Sequence, residues 1–221
     1  MFESKYNKVL TVVLIIVVVA IIALLGFLGY DYYQKYFITK DTSDFVDNFE
    51  GDASISEDNN TNDTENNSDE NPLDQIEGTT TGSGTRTKTM YKGFVVVGTM
   101  EIPKTNFKYP VLEKVTKKSI ETAVAVLYGT GLNQPGNTVI IGHNYRNGLF
   151  FSNNKKLENG DKIYITDTSG TKLTYTIYNK FETTPEDTSF YTRDTGGKPE
   201  VTLSTCTDDS SARLIIFARA D

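Results

Sequence analysis

The chain has no tryptophan, one cysteine and one histidine in 221 residues. A single thiol cannot form an internal disulfide, so the fold cannot rest on a disulfide framework. One Cys and one His also fall short of the four Cys/His ligands that a structural zinc site normally takes. Basic excess is missing as well: the net charge is −7, and no Lys/Arg stripe runs along any segment. Nucleic acid therefore has no electrostatic footing here and is excluded as a partner. The acidity is local. Residues 41–89 carry thirteen acids against Arg86 and Lys88, whereas residues 90–221 carry fourteen acids and sixteen bases.

Charge is also missing from Val9 to Tyr30, which reads VLTVVLIIVVVAIIALLGFLGY. About twenty apolar residues are what an α-helix needs to cross the hydrocarbon core. Within lipid every backbone group must bond inside the segment, so a helix is required despite the many β-branched residues. A cleaved signal peptide would have a shorter apolar core and a small-residue cleavage site, and GFLGYDYYQKY offers no A-x-A pattern. The reading is an uncleaved single-pass anchor over 9–30, behind a short N-terminus at 1–8. Tyr30, Tyr32, Tyr33 and Tyr36 suit the headgroup region. Lys5 and Lys8 before the span balance Lys35 and Lys40 after it, and the N-terminal amine tips the orientation toward an inside N-terminus.

Residues 31–89 read as a polar linker, most concentrated in EGDASISEDNNTNDTENNSDENP and ending in TTTGSGTRTKT. Such a composition cannot bury enough surface to offset its ordering entropy, so a disordered tether is expected. From Met90 the composition changes. FVVVGTMEI, NTVIIGH, DKIYITD, KLTYTIYNKFE, EVTLSTC and RLIIFARA are short runs rich in β-formers, bounded by turns such as QPG, ENGD and TGGKP. DTSGTK reads as a hairpin loop, and KKSIETAVAVLY as a helix with Ile120, Ala123, Val124 and Leu127 on one face. The fold class is mostly β, an antiparallel barrel or sandwich with one or two short helices over 90–221.

Three residues draw attention. Cys206 ends one strand-like run and Arg213 opens the next across the polar turn TDDSS. Neighbouring strands lie about 4.8 Å apart, close enough for thiol and guanidinium to meet. His143 ends NTVIIGH and opens the loop NYRNG. A thiolate is the nucleophilic form of cysteine, an imidazole can accept and return its proton, and a guanidinium offers fixed donors to a developing oxyanion. Each residue also has a plain alternative: a buried inert Cys, a satisfied loop His, a solvated Arg at a strand start. What favours chemistry is that the only Cys and the only His both end predicted strands.

TLSTC followed within a few residues by Arg213 and an apolar strand resembles the C-terminal signature of the sortase family. With GHN at 142–144 it looks most like class B members, although PEDTSFYTRDTGGKP before the Cys strand is short for that class and closer to class A or D. The resemblance runs from about Tyr91 to Asp221 and includes VGTMEIPKTNFKYPVL. It implies a closed eight-stranded β-barrel and cysteine transpeptidation. Cys206 would attack a sorting motif of a surface protein or pilin and form a thioacyl-enzyme, which an amine of peptidoglycan precursor or pilin resolves. His143 would be the acid and base, and Arg213 the oxyanion donor. Thr205, Asn144 and Asp208 would bind substrate or orient the site. No cofactor is implied, and the spacing of acids such as Glu113 and Asp161 demands no calcium. The resemblance places the domain outside a Gram-positive-type cell membrane. The competing functions are a non-enzymatic tethered ligand-binding module and a thiol hydrolase that uses water.

Overall fold

The computed structural model describes residues 2–55 and 88–221, with side chains described at 8–51 and 88–221. The chain divides into two compact units, Met1–Asp44 and Phe45–Asp221. The first is occupied by a helix, α1, which begins at Phe2 and runs on to Ile55. Its apolar side chains from Val9 to Leu28 are exposed, Phe27 by 72%. Among the described residues this is the one helix long and apolar enough to cross a membrane.

α1 corrects the linker expectation over 31–55, which is helical. An already formed helix extends at little cost, because nucleation is the expensive step. Lys35 bonds Asp31 one turn away at 2.6 Å. Within the second unit, Phe45 and Phe49 stack at 6.3 Å, Phe45 packs on Tyr91 at 4.9 Å, and Val46 is fully buried. Glu50 accepts bonds from Thr99 (3.2 Å), Thr166 (2.9 Å) and Lys172 (2.8 Å), and Asp47 pairs with Lys108. The many acids obscured this short apolar stripe in the sequence. The rest of the expected tether, 56–87, lies outside the described residues.

The second unit is a barrel. Its strands are β1 (Met90–Tyr91), β2 (Phe94–Ile102), β3 (Phe107–Leu112), β4 (Val124–Tyr128), β5 (Gly136–Ile141), β6 (Lys162–Asp167), β7 (Lys172–Thr183), β8 (Pro199–Cys206) and β9 (Arg213–Ala220). The sheet order is β1-β2-β3-β4-β5-β8-β9-β7-β6, and β2 also pairs with β6. That last pairing closes eight strands, β2 to β9, into a barrel, as the resemblance implies. Met100, Ile140, Ile165, Leu203 and Ile216 fill it, all fully buried.

One local expectation fails. The helix α2 covers only Lys117–Thr122, capped by reciprocal bonds between Thr116 and Ser119, and Val124–Tyr128 is strand. Val124 and Val126 are β-branched; Val124 pairs with Val111 of β3 and Val126 with Ile140 of β5, and Ala125 between them pairs with both strands. Tertiary pairing overrides the helical spacing.

Candidate active site

The topology brings three strand ends to one rim. β5 and β8 are parallel neighbours, so both finish at the same end of the barrel, and β9 runs antiparallel to β8, so it starts there. Ile141 pairs with Ser204 in the β5–β8 ladder. Two residues on stand His143, just past the end of β5, and Cys206, the last residue of β8. Cys206 is itself in register with Arg213. The Arg213 guanidinium donates to Cys206 Sγ at 3.0 Å. Side chains alternate across a strand, so these three share the outer face with Val139 and Ile141, Thr202 and Ser204, and Ile215 and Phe217.

That outer face is not solvated, because the β7–β8 loop (184–198) folds over it. Phe190 packs on Val139 and Ile215, with Ile141, Phe181, Tyr191 and Phe217 around them. Polar Thr202 and Ser204, which alternate with Val201 and Leu203, are consequently buried as well. The cleft left between this loop and α2–β4 has a volume of about 310 Å³ and is lined by His143, Cys206 and Arg213 together. Ile120 and Leu127 form one wall; Pro185, Phe190 and Tyr191 form the other.

His143 stacks on Tyr145 (4.8 Å), which meets Phe150 edge-on (5.4 Å), and the His143 carbonyl accepts from Phe151 N–H at 3.0 Å. The imidazole therefore rests on an aromatic shelf built by its own loop. Gly142 is required just before it: a Cβ there would lie 2.8 Å from Val124 and 2.9 Å from Phe151. Thr205 donates its hydroxyl to the Gly142 carbonyl at 2.7 Å, tying β8 to β5 beside the cleft. Asn144 donates to the Cys206 carbonyl and to Asp208, both at 3.0 Å. Asp208 also pairs with Lys155 at 2.5 Å, and hydrogen bonds from Lys155 and Asn144 hold its pKa below the usual carboxylate range. The structure thus gathers Thr205, Asn144 and Asp208 around Cys206, with Asp208 bonded to Lys155 and Asn144 while His143 leans on Tyr145.

The residues that sequence reasoning missed hold the cleft wall. Glu200 is buried on β8 and accepts from Arg193 Nη2 at 2.6 Å, Arg219 Nε at 2.5 Å and Tyr178 at 2.7 Å. Burial opposes its ionisation, yet the donors from Tyr178, Arg219 and Arg193 outweigh it and keep its pKa below the ordinary value. Arg193 lies 3.9 Å over the Phe217 ring and bonds Thr202 at 2.5 Å. Asn137 donates to the carbonyls of Phe190 and Tyr191, both at 3.0 Å. The sequence offers no signal for this cluster, because Glu200, Arg193 and Arg219 lie on separate segments that only the β8–β9 register and the covering loop bring together.

With this geometry in place, similarity to known proteins becomes informative. A family model described as the sortase domain matches residues 100–221. A sortase A of Bacillus anthracis is 32% identical over 124 residues, covering 55% of this chain and 58% of that protein. Sortase A from Corynebacterium diphtheriae superposes with a TM-score of 0.53 at 29% identity, covering 58% of this chain and 61% of that one. A Clostridium perfringens sortase D5 transpeptidase gives 0.52 at 28% identity, covering 57% and 79%. The chain therefore spans under two thirds of the length of the curated relatives it matches. Since the family model takes in more than half of the residues, the chain belongs to the sortase family.

Proposed function

We propose that this chain is a membrane-anchored cysteine transpeptidase, held by residues 9–30 with its N-terminus inside and its barrel outside the cell. The observation that carries the reading is the Cys206–Arg213 contact at 3.0 Å in a cleft that His143 also lines. Cys206 is partly exposed rather than entombed, which argues against the inert-thiol reading.

His143 takes the proton of the Cys206 thiol, and the thiolate attacks the carbonyl carbon of a scissile bond in a sorting motif. Charge builds on the carbonyl oxygen, and the Arg213 guanidinium is beside the place where it builds. His143 protonates the leaving amine nitrogen, the C–N bond breaks, and a thioester remains on Cys206. An amine of peptidoglycan precursor or pilin then attacks the thioester carbon, the C–S bond breaks with its electron pair returning to Cys206, and His143 takes the proton the nitrogen sheds. Thr205 and Asn144 keep the strand ends aligned, while the apolar walls around Leu127 and Phe190 suit the aliphatic part of a motif peptide.

The test is a screen of motif peptides against the protein, read by intact mass. A covalent adduct on Cys206 that is lost in Cys206→Ala supports the proposal. Absence of any adduct across the library, with resistance of the folded thiol to iodoacetamide, refutes it in favour of a binding module.

A further inference from the structure

No polar group orients the His143 imidazole: its side chain makes no hydrogen bond or ion pair among the described residues. Asp208, expected to help orient the site, is taken by Lys155 at 2.5 Å and Asn144 at 3.0 Å. What meets the imidazole is the ring of Tyr145, 4.8 Å away between centroids and 29° off parallel. The loop is built to hold that ring. His143 and Tyr145 are two residues apart on extended chain and so share a face, while Asn144 between them bonds the Cys206 carbonyl. Left-handed φ values at Arg146 (59°) and Phe150 (51°) then turn the chain back, bringing Phe150 opposite Asn144. Non-glycine residues keep such a conformation only where their surroundings over-determine it. Here Arg146 is held by its N–H on Asn144 Oδ1 and its guanidinium on Ser210, both at 3.0 Å. Phe150 meets Tyr145 edge-on at 5.4 Å and Tyr109 at 5.3 Å, and buried Tyr109 stacks on Phe107 at 4.7 Å. Tyr145 is thus the outermost ring of an aromatic row anchored in the core.

Resting on the transpeptidase reading, we infer that Tyr145 is the positioning residue for His143, its ring face setting the plane from which the imidazole delivers a proton to the leaving nitrogen. An orienting carboxylate would occupy one imidazole nitrogen and fix the tautomer. A stacked ring fixes the plane alone and leaves both nitrogens open for proton exchange. The role belongs to the ring and not to the hydroxyl. Burial, together with the charge of Glu121, pushes the Tyr145 hydroxyl above its ordinary pKa, so it stays neutral beside the imidazole. Phenylalanine in its place keeps the stack, whereas a side chain without a ring frees the imidazole to tilt.

The experiment compares the full chain in detergent, wild type, with Tyr145→Phe, Tyr145→Leu and Tyr145→Gln. Tyr145 is 43% exposed, so the variants are expected to fold, and their melting temperatures check it. Two acyl donors share one motif peptide, the first with its scissile amide and the second with a thioester in its place. Both need the Cys206 thiolate, but only the amide needs a proton on its leaving atom, because a thiolate departs unprotonated. The readout is the ratio of amide to thioester acylation rates. It falls about 3–10-fold in Tyr145→Leu and Tyr145→Gln, the scale of one aromatic contact, and stays within about twofold of wild type in Tyr145→Phe. His143 is the chain's one histidine, so isotope-labelled histidine gives a single set of imidazole NMR signals. Those signals carry the ring-current shift of the stack in wild type and Tyr145→Phe and lose it in the other two. A merely structural role slows both donors alike, so an unchanged ratio in Tyr145→Leu and Tyr145→Gln overturns the assignment. Tyr145→Phe as impaired as Tyr145→Leu overturns it too, by giving the role to the hydroxyl. Wild type acylated by neither donor refutes the transpeptidase reading itself and removes this inference with it.

Discussion

Replacing Glu200 by alanine tests whether the cleft wall is held by a buried charge cluster. The Glu200 side chain is fully buried and meets Arg193, 15% exposed, and Arg219, 46% exposed. Removing the carboxylate leaves the Arg193 guanidinium largely desolvated and uncompensated. Breaking a buried pair from one side costs about 3–5 kcal/mol, and the exposure of Arg219 pulls the figure to the lower end, about 3 kcal/mol. For a domain of this size that lowers Tm by roughly 10 °C. Glu200→Gln keeps the shape and loses the charge, so its loss is smaller. Because Arg193 and Asn137 anchor the loop bearing Phe190 and Tyr191, KM for a motif peptide rises more than kcat falls. The pH dependence has a definite sign. The folded-state pKa of Glu200 is depressed, so its stabilisation is complete above the ordinary carboxylate pKa of about 4.5 and is lost as pH falls through the lower folded value. The stability gap between wild type and Glu200→Gln therefore closes on acidification. Thermal melts across pH with matched peptide kinetics are the assay; a Tm change under about 2 °C in Glu200→Ala, or a gap that widens toward acid, refutes the reasoning.

Two further outcomes are expected. Arg213→Lys keeps a positive charge and loses the planar fork of donors, so adduct formation on Cys206 drops by about 10²-fold with the melting temperature nearly retained, and near-normal rates would remove Arg213 from the chemistry. A chain beginning at residue 88 loses buried Val46 and the Phe45–Tyr91 contact, about 2–3 kcal/mol together; calorimetry against a chain beginning at residue 45 should show a lower Tm, and coincident transitions would show that the helix end is only resting on the barrel.

The elements whose character is local were legible in advance. KLTYTIY alternates because one face of β7 enters the core, with Tyr175 and Ile177 buried. Val9–Tyr30 is apolar throughout because composition alone defines such a span. Cys206, His143 and Arg213 stood out because each is rare or sits at the end of a β-run. AVAVLY misled, since helix and strand spacing coincide over so few residues and the ladders with β3 and β5 decided the outcome. The helix over 31–55 was masked by acids whose partners, Lys172 and Lys108, lie far along the chain.

Composition and order along the chain by themselves determined an apolar span, a β-rich domain and three chemically suited residues, because these depend on neighbours in sequence. Only the tertiary structure decided that β5, β8 and β9 end at one rim, that Asp208 bonds Lys155 and Asn144, and that Glu200 clamps the loop over the cleft. Those facts depend on strand direction and register, and a one-residue slip in either ladder would turn the same side chains to the opposite face.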